Sequence, residues 1–188
     1  MPERIVEYAP WRGNAPAVDA EAGVIRGVKI LGLRSRNGRI YRADALRRAV
    51  ALYEEAKVNV NHPADLRRAA RDYRDRLGRI RNVRFVEEEG LFGDLHFNPK
   101  HPVAAQLAWD AEHAPENVGL SHHVSAVVRR NGQTVEVEAI EQVLSVDLVA
   151  DPATTEGLFE DAAQAGASPD ENGLLRRLEA LEAKLARL

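Results

Sequence analysis

Residues 117–127 read Asn-Val-Gly-Leu-Ser-His-His-Val-Ser-Ala-Val, and they carry the strongest functional signal in the chain. The run 118–128 is rich in β-branched and small residues, which is typical of a buried strand. An unpaired hydroxyl or imidazole in such a strand costs on the order of 1–3 kcal/mol, so polar groups here need solvent or a partner. Gly119 would let another backbone approach closely, as an attacked carbonyl requires. Four polar side chains interrupt the run: Ser121, His122, His123 and Ser125. We take Ser121 as the candidate nucleophile.

The composition limits the class of protein. The chain has 188 residues, 45% of them hydrophobic, and a net charge of −3, which suits one domain and argues against a dedicated nucleic-acid binder. It contains no cysteine, which excludes disulfides, thiolate zinc sites and a cysteine nucleophile. No apolar run approaches the roughly 20 residues of a membrane span, and the N-terminal residues lack a signal-peptide pattern. These features predict a cytoplasmic protein with neither a membrane nor a nucleic-acid partner.

Hydrophobic patterning predicts a mainly β domain of the α+β class. One amphipathic helix carries Leu46, Val50 and Tyr53 on one face and precedes His62. A second helix over 101–113 precedes Ser121. About seven strands are predicted, at 24–33, 57–61, 77–87, 91–97, 118–128, 134–140 and 143–149. The charged segment 64–76 is interpreted as a solvated helix or loop.

Four segments are predicted along the chain. Residues 1–22 form an irregular leader, 23–156 the folded domain, 157–173 a flexible linker rich in small and polar residues, and 174–188 a leucine-seam helix. The seam alternates four- and three-residue steps, as in a coiled coil, and predicts a dimer or partner helix. Its members are Leu174, Leu178, Leu181, Leu185 and Leu188.

Two further polar residues stand where an apolar strand does not need them. In the last predicted strand, Leu144, Val146 and Leu148 share the core face, and Asp147 lies on the opposite face beside Ser145. A carboxylate between valines needs a charged or hydrogen-bonding partner, and an imidazole N–H is one candidate.

The second such residue is His62, which stands at the end of a short strand, before a proline. A serine hydroxyl is a poor nucleophile until a histidine takes its proton, and a third group then orients that histidine. His62, Ser121 and Asp147 would therefore form a catalytic triad. Their order along the chain differs from the three common triad orders, and there is no G-x-S-x-G elbow.

Several motifs, in order and spacing, resemble those of the phage prohead (capsid maturation) proteases, relatives of the herpesvirus assemblins. The matching pieces are NGRIY, VNVNHP, GRIRNV, GLFGDL, PVAAQL, VGLSHH and SVDLVADPA, which together cover roughly 24–153. The resemblance implies a mostly antiparallel β-barrel with peripheral helices. It also implies a serine endopeptidase in which His62 is the general base, Ser121 the nucleophile and Asp147 the third member.

Two alternatives for that third position remain open. Other phage relatives carry their acid two residues earlier, where this chain has Ser145, and the herpesvirus branch uses a second histidine, for which His123 is the candidate. The resemblance further implies scaffold and major capsid proteins as substrates, self-cleavage and self-association. It implies activity in the host cytoplasm, inside assembling proheads, with no cofactor.

Less specific readings compete with the triad. His62 could simply end a strand, and Asp147 could pair with Arg129 or Arg81. Asp151 and Glu141 are further candidate acids. A zinc site could be built from His62, His96, His101, His122 and His123, although their spacing matches no zinc motif and we predict no metal. As a whole, the chain could also be a non-enzymatic assembly protein, a barrel with a coiled-coil docking tail.

Overall fold

A computed structural model describes residues 17–63, 71–132 and 134–150, together with 152, 155 and 157–159. The predicted leucine-seam helix 174–188, most of the predicted linker and residues 1–16 of the predicted leader lie outside the described residues. Neither helix in the described ranges is long and apolar enough to cross a membrane.

The described chain forms eight strands and two helices. In order they are β1 (Val18–Asp19), β2 (Val24–Gly32), β3 (Arg39–Tyr41), α1 (Ala43–Tyr53), β4 (Lys57–Val60), β5 (Arg76–Val86), β6 (Gly90–Phe97), α2 (Ala104–His113), β7 (Gly119–Asn131) and β8 (Thr134–Val149). Two short 3₁₀ helices, Tyr73–Asp75 and Pro115–Asn117, precede β5 and β7.

All eight strands belong to one sheet, in the order β1-β2-β6-β5-β4-β8-β3, with β7 on the other side of β8. β8 runs parallel to both β3 and β4 and antiparallel to β7. The predicted predominance of β structure is confirmed, but the predicted closed barrel is wrong, because the sheet is mixed and remains open. Two parallel strands need a crossover, and α1 supplies it between β3 and β4.

The structure of β8 shows that two of the strand predictions are wrong. The strands predicted at 134–140 and 143–149 are one strand of 16 residues. Its pairing with β7 has three register shifts, which break the two-residue alternation and account for the apparent gap. C-terminal to the shift at Leu144, the core face carries Val146 and Leu148 as predicted. Leu144 itself, which the shift leaves without a partner in β7, is exposed.

The core lies between the sheet and the helices. α1 buries Leu46 and Tyr53 completely, as its spacing predicts, while Val50 is only partly buried. From the sheet, the largest completely buried side chains are Ile25, Ile30, Leu31, Leu77, Ile80, Leu91, Leu95 and Leu120.

Packing extends past both predicted ends of the domain. Val18, within the predicted leader, is buried and pairs with Ile25. Leu158, within the predicted linker, is completely buried; its N–H donates to the Pro115 carbonyl (2.9 Å), and its carbonyl accepts from the Lys29 N–H (2.9 Å). The packed domain therefore reaches at least residue 159.

Candidate active site

The pairing of β7 with β8 places Ser121 directly opposite Asp147. Because directly opposite residues project to the same side of a sheet, these two side chains share a face, together with Ser145 and its partner His123. We call this the site face. On its other side β8 pairs with β4, where Asn59 is the partner of Asp147. The predicted nucleophile and the predicted acid thus lie in one row across neighbouring strands.

His62 reaches the same row from the turn after β4. Asn61 adopts a positive φ of 60°, a conformation that asparagine tolerates better than most residues, and its N–H donates to the Leu148 carbonyl (2.8 Å). The following residue, His62, lies over Asp147, with Nδ1 at 2.9 Å from Oδ2. Because a carboxylate only accepts hydrogen bonds, Nδ1 carries the proton in this pair and Nε2 is left as the acceptor. The side chain of Asp147 is completely buried, while that of His62 is 47% exposed.

Arg71 completes the surroundings of Asp147. Its side chain is 7% exposed, and its NH2 group forms an ion pair with Asp147 Oδ1. NH1 donates to the Asn61 carbonyl (2.8 Å), and NH2 also lies 3.4 Å from Ser145 Oγ. Ser145 Oγ itself donates to Asp147 Oδ1 (2.9 Å). Both oxygens of the buried carboxylate are therefore hydrogen-bonded, as a buried charge requires.

Sequence patterns do not single out Arg71 and Asn59. The dense charge of the segment 64–76 predicts a solvated helix or loop, and nothing in it separates Arg71, whose side chain is 7% exposed, from its neighbours. Asn59 is buried; its Oδ1 accepts from Arg76 Nε (2.8 Å), while its Nδ2 has no partner within the described ranges. A signal for Asn59 did exist, since it alternates with Val58 and Val60 and must therefore face away from the core.

The arginines proposed as alternative partners of Asp147 are engaged elsewhere. Arg129 pairs with Glu138 (2.6 Å) and Arg81 with Glu55 (2.7 Å). Of the other candidate acids, Glu141 is exposed on β8, and Asp151 lies outside the described residues.

The two contacts that a triad requires differ in this structure. His62 and Asp147 are hydrogen-bonded, whereas no hydrogen bond joins Ser121 to His62 among the described residues. Nucleophile–base contacts are often long without substrate and shorten in the complex. Within the same described ranges, His123 donates no hydrogen bond to Asp147, although it shares the site face.

His122 projects to the opposite side of the strand, which we call the inner face and which also carries Leu120, Val146 and Leu148. Tyr53 Oη lies 2.5 Å from its Nδ1, and Tyr41 Oη lies 2.9 Å from its Nε2. Burial lowers the pKa of His122 to about 4, with Arg39 and His123 as smaller causes. Burial likewise raises the pKa of both tyrosines. His122 is therefore a neutral ring held by two neutral hydroxyls.

The role predicted for Gly119 needs correction. A Cβ at this position would lie 2.6 Å from Pro152 Cγ and 2.8 Å from Thr155 Oγ1. The close approach that the glycine permits is made by the chain's own segment after β8. Gly119 therefore allows that segment to pack closely against the end of the site face.

The histidines of the alternative zinc site are dispersed. His96 lies in β6 opposite Arg79, and His101 Nε2 contacts the Arg74 carbonyl at 2.8 Å. Over the part of the chain that the structure describes, no three His, Asp or Glu side chains are grouped as metal ligands would be.

Comparison with known proteins bears on the fold. No family model matches the chain, and no curated protein matches its sequence. Among solved structures, the fold is similar to that of the bacteriophage T4 capsid assembly protease, gp21. The TM-score of this match is 0.53, with 19% identity, and it covers 69% of this chain and 82% of that one. The resemblance to phage capsid maturation proteases is thereby confirmed for the fold.

Proposed function

We propose that this protein is a serine endopeptidase with Ser121 as nucleophile, His62 as general base and Asp147 as the third member. The observation that carries the proposal is the 2.9 Å contact between His62 Nδ1 and the completely buried Asp147, in the row of the sheet that contains Ser121. A buried carboxylate bonded to a half-exposed imidazole, with a hydroxyl on the neighbouring strand, is the arrangement that acyl transfer by serine uses.

The mechanism depends on which nitrogen of His62 carries the proton. Asp147 keeps the proton on Nδ1, so that Nε2 of His62 takes the proton of the Ser121 hydroxyl as Oγ attacks the substrate carbonyl. The resulting imidazolium is stabilised by Asp147 and then donates its proton to the leaving amine. The acyl group on Ser121 is released when His62 deprotonates a water molecule, which attacks the ester and regenerates the hydroxyl.

The proposed substrates are scaffold and major capsid proteins, processed inside assembling proheads in the host cytoplasm, with cleavage of the enzyme's own chain as well. The support is the fold, which this chain shares with a phage capsid assembly protease, together with the order of the sequence motifs. Self-association through the leucine-seam helix belongs to the same proposal.

A fluorophosphonate probe tests the proposal directly, because it reacts only with an activated serine. We expect labelling of the intact protein at Ser121, located by peptide mass spectrometry, and complete loss of labelling in Ser121→Ala. Ser125→Ala is the matched control, since Ser125 is an exposed serine on the same strand. Labelling at another serine would overturn Ser121 as the nucleophile. A folded protein that neither reacts nor cleaves capsid or scaffold protein would favour the non-enzymatic assembly role.

A further inference from the structure

A cleft of about 330 Å³ is lined by residues that are close in the chain to two members of the proposed triad. One wall comes from the strands: it includes Asn61, the residue before His62, and Val149, two residues beyond Asp147 on the site face. The other wall comes from α2 and the turn before it, with Val103, Leu107 and Asp110. A substrate chain bound at Ser121 would therefore have this cleft within reach of a side chain near the scissile bond.

Asp110 gives the cleft a charge. The residue is only 6% exposed, and its Oδ1 accepts a hydrogen bond from Asn117 Nδ2 (3.0 Å). No donor among the described residues reaches the other oxygen, Oδ2. A largely buried carboxylate whose Oδ2 has no donor among the described residues favours an incoming donor, and a positively charged donor most of all.

We propose that this cleft is a substrate subsite for a lysine side chain; the inference rests on the proposed function. The apolar walls suit the four methylene groups of lysine, whose charged end would meet Asp110 Oδ2. Arginine is a poorer fit, because its planar fork needs two acceptor oxygens and Asn117 already occupies one. Glutamate at this position would place two carboxylates together and is disfavoured.

Cleavage of a peptide library derived from a whole proteome, read by mass spectrometry, tests the preference. We expect lysine to be enriched at one position near the cut sites of the intact protein. Asp110→Asn should lower kcat/KM for lysine substrates relative to their norleucine analogues by roughly 30-fold or more, the usual loss when one partner of a buried charge pair is removed. Glu112→Gln, which removes an exposed carboxylate from the same helix, is the matched control and should leave the ratio unchanged.

Binding separates this inference from the proposed function. Two peptides that differ only in lysine or norleucine are titrated into Ser121→Ala by calorimetry, where no turnover occurs. Tighter binding of the lysine peptide, lost in the double variant with Asp110→Asn, supports the subsite. Equal binding of both peptides overturns it even where fluorophosphonate labels Ser121. Absence of labelling rejects the catalytic proposal separately.

A second inference comes from Arg71, whose contacts are independent of the cleft. Its guanidinium bridges Asp147 Oδ1 and the Asn61 carbonyl, and Asn61 precedes His62 in the chain. One almost fully buried side chain thus holds both the acid of the proposed triad and the turn that carries its base. We infer that Arg71 is a positioning residue for the His62–Asp147 pair, an inference that also rests on the proposed function.

A split between kcat and KM tests the role of Arg71. Arg71→Ala should lower kcat by roughly 10²-fold with little change in KM, since misplaced catalytic groups lose rate rather than binding. Arg71→Lys should restore only part of that loss, because an ammonium cannot make both contacts of the fork. Methylguanidinium added to the alanine variant should raise kcat again.

Titration of functional sites distinguishes positioning from stability. The rate is expressed per fluorophosphonate-reactive molecule, and the melting temperature is recorded for each variant. An alanine variant that keeps its kcat per reactive site, or that methylguanidinium fails to rescue although it is fully folded, overturns the positioning role. The existence of the triad itself is judged by labelling of Ser121 in the intact protein.

Discussion

The two faces of β7 use neighbouring polar residues in opposite ways. On the inner face His122 lies between the hydroxyls of Tyr53 and Tyr41, and burial lowers its pKa to about 4. On the site face Ser121 lies beside Asp147, whose carboxylate contacts the half-exposed His62. Neutral partners and burial suppress the charged form of an imidazole, whereas a carboxylate stabilises the cation that forms during proton transfer.

The partners of a histidine, more than its position in a motif, therefore determine its role. His122 stands next to Ser121 in the chain but points away from it, because successive residues of a strand face opposite sides. His62, 59 positions before Ser121 in the chain, is the histidine that contacts the carboxylate. A substitution on one face should therefore leave the residues of the other face in place.

The largest expected effect is on cleavage after His62→Ala. We expect kcat/KM to fall by roughly 10⁴-fold or more, since triad members act as a unit and the hydroxyl then has no base. The melting temperature should change little, because the His62 side chain is 47% exposed. Cleavage of scaffold protein followed by gel densitometry, together with differential scanning calorimetry, measures both quantities.

His122→Gln provides the contrast on the inner face. The variant should lose stability yet keep its cleavage rate per folded molecule at a temperature well below its melting point. Near-normal cleavage by His62→Ala, or loss of cleavage by a fully folded His122→Gln, would reverse the roles assigned to the two faces.

Asp147→Asn should lower kcat by a factor of roughly 10² to 10⁴, because an amide orients the imidazole less well and cannot stabilise its cation. The change also removes the charge partner of the nearly buried Arg71, so some loss of stability is expected alongside. Rates at saturating peptide, normalised to the folded fraction, measure the catalytic part. A silent substitution would exclude Asp147 as the third member.

Much of the fold could be predicted from local patterns. The hairpin of β5 and β6 and both helices agree with their predicted positions within a few residues, because alternation and three- to four-residue spacing are local signals. The open, mixed arrangement of the sheet could not be predicted in this way. The parallel pairing of β8 with β3 and β4 is a contact between distant segments, and no local period encodes it.

In the candidate site, too, local patterns are predictable and contacts between distant segments are not. Alternation in β8 predicts that Asp147 faces away from Val146 and Leu148, and this prediction is confirmed. The contact between His62 and Asp147 needs the turn at Asn61, and the burial of Arg71 needs the packing of a charged segment. Both depend on tertiary structure, which single-sequence patterns do not contain.

A smaller effect is expected in the pH dependence of stability. His122 has a folded pKa of about 4 and an ordinary unfolded value near 6.5, so between these limits the unfolded chain binds a proton that the folded chain does not. Its contribution is complete above pH 6.5 and declines as the pH falls, by at most about 3 kcal/mol once pH 4 is passed. Urea unfolding at pH 7 and pH 5 measures the slope.

The control for this slope is again His122→Gln. The amide does not titrate, so the stability difference between the two proteins should shrink from pH 7 to pH 5. A difference that stays constant with pH would show that His122 is not held neutral by the inner face.

The smallest expected effect concerns the two other residues of the site face that could fill the third position. Ser145→Ala removes one hydrogen bond to Asp147 Oδ1 but leaves the Arg71 ion pair and the His62 contact in place. A single neutral donor of this kind contributes about 1 kcal/mol, so kcat should fall less than about tenfold.

His123→Ala should change kcat even less, because His123 makes no hydrogen bond to Asp147 among the described residues. If His123→Ala proves severe while Asp147→Asn is mild, the third member is a histidine, as in the herpesvirus branch. If Ser145→Ala lowers kcat more than Asp147→Asn does, the buried carboxylate contributes more to holding Arg71 than to orienting His62.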